Sequence, residues 1–151
     1  MTKITRILPF MTPIYDTAGH YAAPVLRVTT GLFLIPHGAQ KLFGWFGGYG
    51  LEATGQYFES IGLSNGFLVA LSAGSVEFFG GMALALGLLT RISAMAAFVL
   101  LAVAISIHLP NGFMWTDGGL EYPLMWAVLT LFFIVKGGGT HSVDRLIGKE
   151  F

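Results

Sequence analysis

The chain reads as an all-α membrane protein, a transmembrane four-helix bundle with both termini cytoplasmic. Three observations lead there. Of 151 residues, 54% are hydrophobic and only 11% charged, with a mean hydropathy of +0.72. A soluble domain carries about 25% charged residues, so this chain has too few charges to cover its surface in water. Four apolar segments each approach the roughly 20 residues that cross a bilayer core. Finally, nothing alternates like a barrel strand, and lipid leaves no backbone polar group unpaired, so the spans must be helices.

Residues 1–21 carry Lys3 and Arg6, but Pro9 and Pro13 interrupt any apolar core, so no cleavable signal peptide is expected. Ile4, Ile7, Leu8, Phe10 and Met11 can instead anchor in the interface, with a frayed polar terminus as the alternative. The first span is predicted over about 24–43, the second over 67–89, the third over 92–109 and the fourth over 122–135. One domain covers 1–151, and an amphipathic helix over about 51–61 is expected in the first outer loop. That loop holds Trp45, Phe46, Tyr49, Tyr57 and Phe58, and the second adds Trp115. Aromatics at this depth form an interfacial belt, or alternatively a lid over a site.

Direction follows from the basic residues. Lys3, Arg6, Arg27, Arg91, Lys136, Arg145 and Lys149 all fall on the side of the termini, and Lys41 alone falls opposite. Positive charge marks the cytoplasmic side, so a multi-pass protein of the cell membrane is predicted. Net charge is zero with no basic run, which argues against nucleic acid. The absence of cysteine removes disulfides, thiol catalysis and thiolate metal sites from this chain.

Polar residues recur on one face of each helix. Arg27, Thr30, Leu34, His37 and Lys41 form a stripe at intervals of three and four on the first. Ala70, Gly74, Glu77, Gly81 and Ala85 form one on the second, where small residues allow close helix approach. Ala94, Ala97, Leu101, Ala104 and His108 line up on the third. At about 1.5 Å per residue, His37, Gln40, Lys41, Glu77, His108 and Glu121 can converge on one pocket in the outer half of the bundle. Pro36 is expected to kink the first helix beside them.

A charge at a helix centre costs about 2.5 to 3.5 kcal/mol, whereas interhelical polar bonds average only about 0.6 kcal/mol. A functional pocket therefore explains the cluster better than interhelical glue. Arg27 and Thr30 are read as positional, with Arg27 snorkelling to the headgroups. Two histidines and two carboxylates can in principle hold zinc or iron. No helix carries a histidine and a carboxylate at ligand spacing, however, so no metal residue is assigned. A quinone headgroup suits the set better, since it needs hydrogen-bond donors, a proton route and apolar walls.

The order and spacing of these residues resemble the DoxX family of small four-helix membrane proteins. The resemblance rests on "RVTTGLFLIPHGAQKLFG", "GSVEFFGGMALALGLLTR", "HLPNGF...GGLEYPL" and "GGGTHSVD", and it runs from Val25 to Leu146. It implies that His37, Lys41, Glu77, Arg91, His108 and Glu121 fill the family's typical polar positions and that Asp144 ends its tail. Relatives include a subunit of a thiosulfate:quinone oxidoreductase and proteins tied to oxidative-stress complexes. The resemblance thus implies a quinone-interacting subunit that relies on a redox partner for electrons, with His37, Lys41, Glu77 and His108 as catalytic candidates. Gln40 and Glu121 join them in holding the cofactor. An assembly or stress-response protein, a transporter using Glu77, and a homo-oligomer stay open as alternatives.

Overall fold

A computed structural model describes residues 7–150, and among these no strand is present. Helix α1 spans Thr12–Phe43, α2 Gly50–Ser60, α3 Gly66–Leu86, α4 Thr90–His108, α5 Glu121–Lys136 and the short α6 Val143–Leu146. The four long helices form a ring in which α1 packs on α3, α3 on α4, α4 on α5, and α5 returns to α1. Large apolar side chains point outwards from each of them, including Leu32, Leu68, Val99 and Val128, all more than half exposed. A protein surface this apolar is stable only against lipid. Inside, Leu34, Leu84, Ala94, Ala97 and Phe133 form the core.

Two of the expected spans, Gly66–Leu86 and Thr90–Asn111, are long and apolar enough to cross a bilayer by length and composition, with mean hydropathies of 1.6 and 2.3. Polar residues at Arg27, His37 and Lys41 interrupt α1. Helix α5 has 16 residues, about 24 Å at the helical rise, and needs its flanks to complete a crossing.

The expected stripes are the faces that pack. Arg27, Thr30 and Leu34 are buried on α1, Ala70, Gly74 and Gly81 on α3, and Ala94, Ala97 and Leu101 on α4. Helices α1 and α3 touch backbone to backbone. A Cβ added at Gly38 would lie 2.6 Å from the Gly74 carbonyl oxygen and 2.7 Å from Phe78 Cβ, and one at Gly31 would lie 2.6 Å from Ala85 N. Only glycine permits that approach.

Three details differ from the sequence expectation. Helix α1 begins at Thr12 rather than near residue 24, because Pro13 falls in its first turn, where a missing N–H costs no hydrogen bond. The helix also continues through Pro24 and Pro36. Of the expected interfacial anchor, Ile4 lies outside the described residues, while Phe10 and Met11 sit in a 3-10 turn over Pro9–Met11 with Phe10 exposed. Lastly, α3 is not uniform. Val76–Gly80 is a π-helical turn, and Glu77 sits in it.

The inner end, where the basic residues gather, is closed by the tail. Arg27 is 2% exposed; instead of snorkelling, it donates through Nη1 to the Gly138 carbonyl and through Nη2 to the His141 carbonyl at 2.5 Å. Asp144, also 2% exposed, accepts from Leu89 N (2.7 Å), Thr90 N (2.9 Å) and Thr90 Oγ1 (2.7 Å). It thereby satisfies the first amides of α4, a task that the residue at the helix start, Leu89, has no polar side chain to perform.

The charge asymmetry makes the orientation testable. Ser60→Cys and Thr116→Cys are expected to react with an impermeant thiol reagent in intact cells, and Thr140→Cys only after permeabilisation. Labelling of Thr140→Cys alone would invert the bundle.

Candidate functional site

At the outer end the helices surround a cavity of about 310 Å³. Its charged and imidazole groups are those of His37 and Lys41 from α1, Glu77 from α3 and His108 from α4, the four catalytic candidates of the sequence. Its walls are aliphatic and aromatic, with Phe33, Tyr57, Phe58, Tyr122 and Trp126 among them.

The centre of the site is an ion pair. Lys41 Nζ donates to both Glu77 oxygens, at 2.7 Å to Oε2 and 2.9 Å to Oε1. The two side chains are 23% and 13% exposed, so each has given up much of its water and relies on the other. The π turn is the local reason Glu77 can be held here. Its carboxylate emerges where the turn is widened by one extra residue, on the face where Gly74 and Gly81 bring α3 against α1. A third ammonium hydrogen reaches the His37 carbonyl at the longer distance of 3.4 Å.

The two imidazoles are placed differently. His108 Nδ1 lies 2.8 Å from the Gly118 carbonyl oxygen. A carbonyl only accepts, so Nδ1 carries the hydrogen and Nε2 of the neutral ring is left as an acceptor. Asn111 Nδ2 donates to the same carbonyl at 3.2 Å, tying the loop after α4 to this histidine. The His37 ring is exposed at the cavity edge, and among the described residues no side-chain bond holds it.

Two sequence candidates are not brought to this cavity. Gln40 Nε2 donates to the Phe46 carbonyl at 3.2 Å and faces a neighbouring pocket beside Gly48 and Tyr49. Glu121 Oε2 accepts from Trp115 N at 3.1 Å. It fixes the outer loop, where Trp115 stacks on Tyr122 with centroids 5.4 Å apart. Both are diverted by backbone groups of the adjoining outer loops, which their long side chains reach. Arg91 lies at the far end, donating to the Ile134 and Val135 carbonyls at 2.8 and 3.0 Å. Among the described residues no three histidine, aspartate or glutamate side chains gather as a metal site.

Of the aromatic walls, Phe33, Tyr122 and Trp126 were not selected from sequence. Phe33 precedes His37 by four residues and Trp126 follows Tyr122 by four, so helical spacing held the signal. Tyr57 and Phe58 come from α2, which was expected at residues 51–61 and folds over Gly50–Ser60. Their place in the cavity wall favours the lid over the belt for these two residues.

Comparison with known proteins agrees with this architecture. The DoxX family model matches residues 22–109, more than half of the chain. The chain is 31% identical to the inner membrane protein YqjF of Escherichia coli, over 84% of this chain and 92% of that one. It is 29% identical to a Bacillus subtilis protein named "Putative oxidoreductase CatD", over 83% and 86% of the respective chains. A Haemophilus influenzae protein without a described function is 41% identical over 43% of this chain, which spans less than half (44%) of that relative's length. No solved structure matches the chain. This chain is a membrane protein and belongs to the DoxX family.

Proposed function

We propose that the outer cavity binds the headgroup of a lipid-soluble quinone and that the chain serves as the quinone-interacting subunit of a membrane redox complex. The observation that carries this reading is the Lys41–Glu77 pair, flanked by two imidazoles, at the polar end of an otherwise apolar cavity. The volume is at the small end of the about 300–1,000 Å³ typical of ligand pockets, and flat aromatic walls suit a planar ring.

Access supports a ligand that travels in lipid. An apolar groove between α3 and α4 shares Val69, Ala73, Leu100 and Val103 with the cavity, so these side chains stand between the site and the lipid-facing surface. Val103 is also 44% exposed. A hydrophobic tail in this groove would leave the headgroup among the polar residues.

A bound quinone would supply two carbonyl oxygens able to take up electrons delivered by a partner subunit. Lys41 offers a fixed positive charge to one of them, in a site with little water to screen it. His37, with no competing bond, can donate to the other. Glu77 can accept a proton from Lys41 or His37 and return it, and His108 Nε2 can relay one towards the outer loop. The name of the Bacillus subtilis relative is in keeping with a redox role.

Binding of a short-chain quinone to the purified protein tests the reading. Affinity should fall about tenfold or more in His37→Ala and in Glu77→Gln, the loss of one charged or desolvated hydrogen bond. It should change less than about twofold in Gln40→Ala, whose side chain faces elsewhere. Absence of saturable quinone binding, with the native partner present, would overturn the proposal and favour a role in assembly.

A further inference from the structure

A second cavity, of about 380 Å³, lies at the inner end of the bundle, under the tail that follows α5. It is lined by three cationic residues, Lys136, Arg145 and Lys149, with the Ser142 and Thr140 hydroxyls beside them. All three cationic residues are exposed, and among the described residues no ion pair or side-chain hydrogen bond engages their charged groups.

The acids in the same cavity are already engaged. Both oxygens of Asp144 accept from Leu89 and Thr90 at the start of α4. Glu150 Oε1 accepts from Gly138 N at 3.2 Å and lies 3.6 Å from Arg91 Nη2. Three cations against two carboxylates leave the lining with one positive charge in surplus, and among the described residues neither carboxylate is bonded to any of the three cations. The preference of cytoplasmic loops for Lys and Arg accounts for the side on which these residues fall. It does not account for three of them converging on one hollow, where their mutual repulsion favours an anion between them.

The flanks say where the hollow sits. Val135, Leu146 and Ile147, each next to one of these cationic residues in sequence or nearly so, are 73%, 86% and 52% exposed. Exposed aliphatic side chains interleaved with cations are suited to the plane where acyl chains meet headgroups. We propose that this cavity is a binding site for a phosphate-bearing anion, with the headgroup of an anionic phospholipid of the inner leaflet as one source and free phosphate as the other. Occupancy would also brace the tail. The same segment supplies Asp144 to α4 and accepts the Arg27 guanidinium, so an anion bound only by the folded tail stabilises the whole inner end.

The test uses the full chain in nanodiscs of phosphatidylcholine, with phosphatidylglycerol added in steps, read by thermal unfolding and by native mass spectrometry of bound lipid. Phosphatidylglycerol should raise the unfolding temperature and be retained about tenfold or more over phosphatidylcholine. The triple variant Lys136→Gln/Arg145→Gln/Lys149→Gln should lose both effects, while unfolding in pure phosphatidylcholine as the wild type does. The charge-preserving triple Lys136→Arg/Arg145→Lys/Lys149→Arg should keep them. In a parallel arm, inorganic phosphate is added to pure phosphatidylcholine discs. A saturable shift there, absent from the glutamine triple, supports the site with a soluble anion as its source; a response to phosphatidylglycerol alone supports the lipid. Equal behaviour towards both lipids with no response to phosphate, or an unchanged preference in the glutamine triple, would overturn the proposal.

Discussion

Replacing Lys41 by Met is expected to destabilise the wild-type protein by about 2–3 kcal/mol, and the Glu77→Gln protein by less than about 1 kcal/mol. The difference arises because Lys41→Met strands a carboxylate that is only 13% exposed. Breaking a fully buried pair costs about 3–5 kcal/mol, and the residual exposure of both side chains lowers that figure by screening. With glutamine at position 77 no charge is stranded, and only hydrogen bonds and packing are lost. Reversible unfolding in mixed micelles, carried through all four members of the cycle, measures the coupling. Purely additive effects would mean that the 2.7 Å contact contributes nothing to stability. The conservative Lys41→Arg should retain much of the coupling, because a guanidinium can still reach the carboxylate.

Asp144→Ala is expected to cost about 3 kcal/mol, the combined loss of a helix cap and of charge-assisted bonds to buried donors. Three donors lose their acceptor together, and Thr90, at 1% exposed, cannot turn to water. Leu89, at the same junction, holds a left-handed φ of 48° that a leucine rarely adopts, and its amide bond to Asp144 helps to keep it there. Asp144→Asn should lose less, because one amide oxygen remains to accept. Hydrogen exchange reads the effect locally. The Leu89 and Thr90 amides should lose protection in Asp144→Ala, whereas those in the middle of α5 should change little. Uniform loss of protection across the bundle would point to general unfolding rather than to a missing cap.

Much of this arrangement was legible in the sequence because lipid imposes simple rules. Long apolar runs gave helices, small residues at four-residue spacing marked the faces in contact, and the cost of a lone buried charge implied polar company for Glu77, which the structure supplies as Lys41. Less legible was whatever depends on local backbone. The π turn at Val76–Gly80 has no periodic signature, since five residues cannot show a change of helical period. Gln40 and Glu121 share depth with the pocket, yet each is captured by a backbone group six residues away. Arg27 looked able to reach the headgroups. Instead the tail folds back over it, a contact across more than a hundred residues that no local pattern announces. The tail motif "GGGTHSVD" could be recognised by resemblance, but its work as the cap of α4 appears only in three dimensions.

Photolabelling decides whether the outer cavity holds a quinone headgroup. A quinone carrying a photoreactive group on its ring is bound to the purified protein in lipid, irradiated, and its adducts are mapped by mass spectrometry. Saturable adducts are expected on cavity residues such as Phe33, Tyr57, His108 and Trp126, suppressed by excess unlabelled quinone and weakened in Glu77→Gln. Adducts spread over lipid-facing residues such as Leu68 and Val128, rising linearly with concentration and indifferent to competitor, would contradict it.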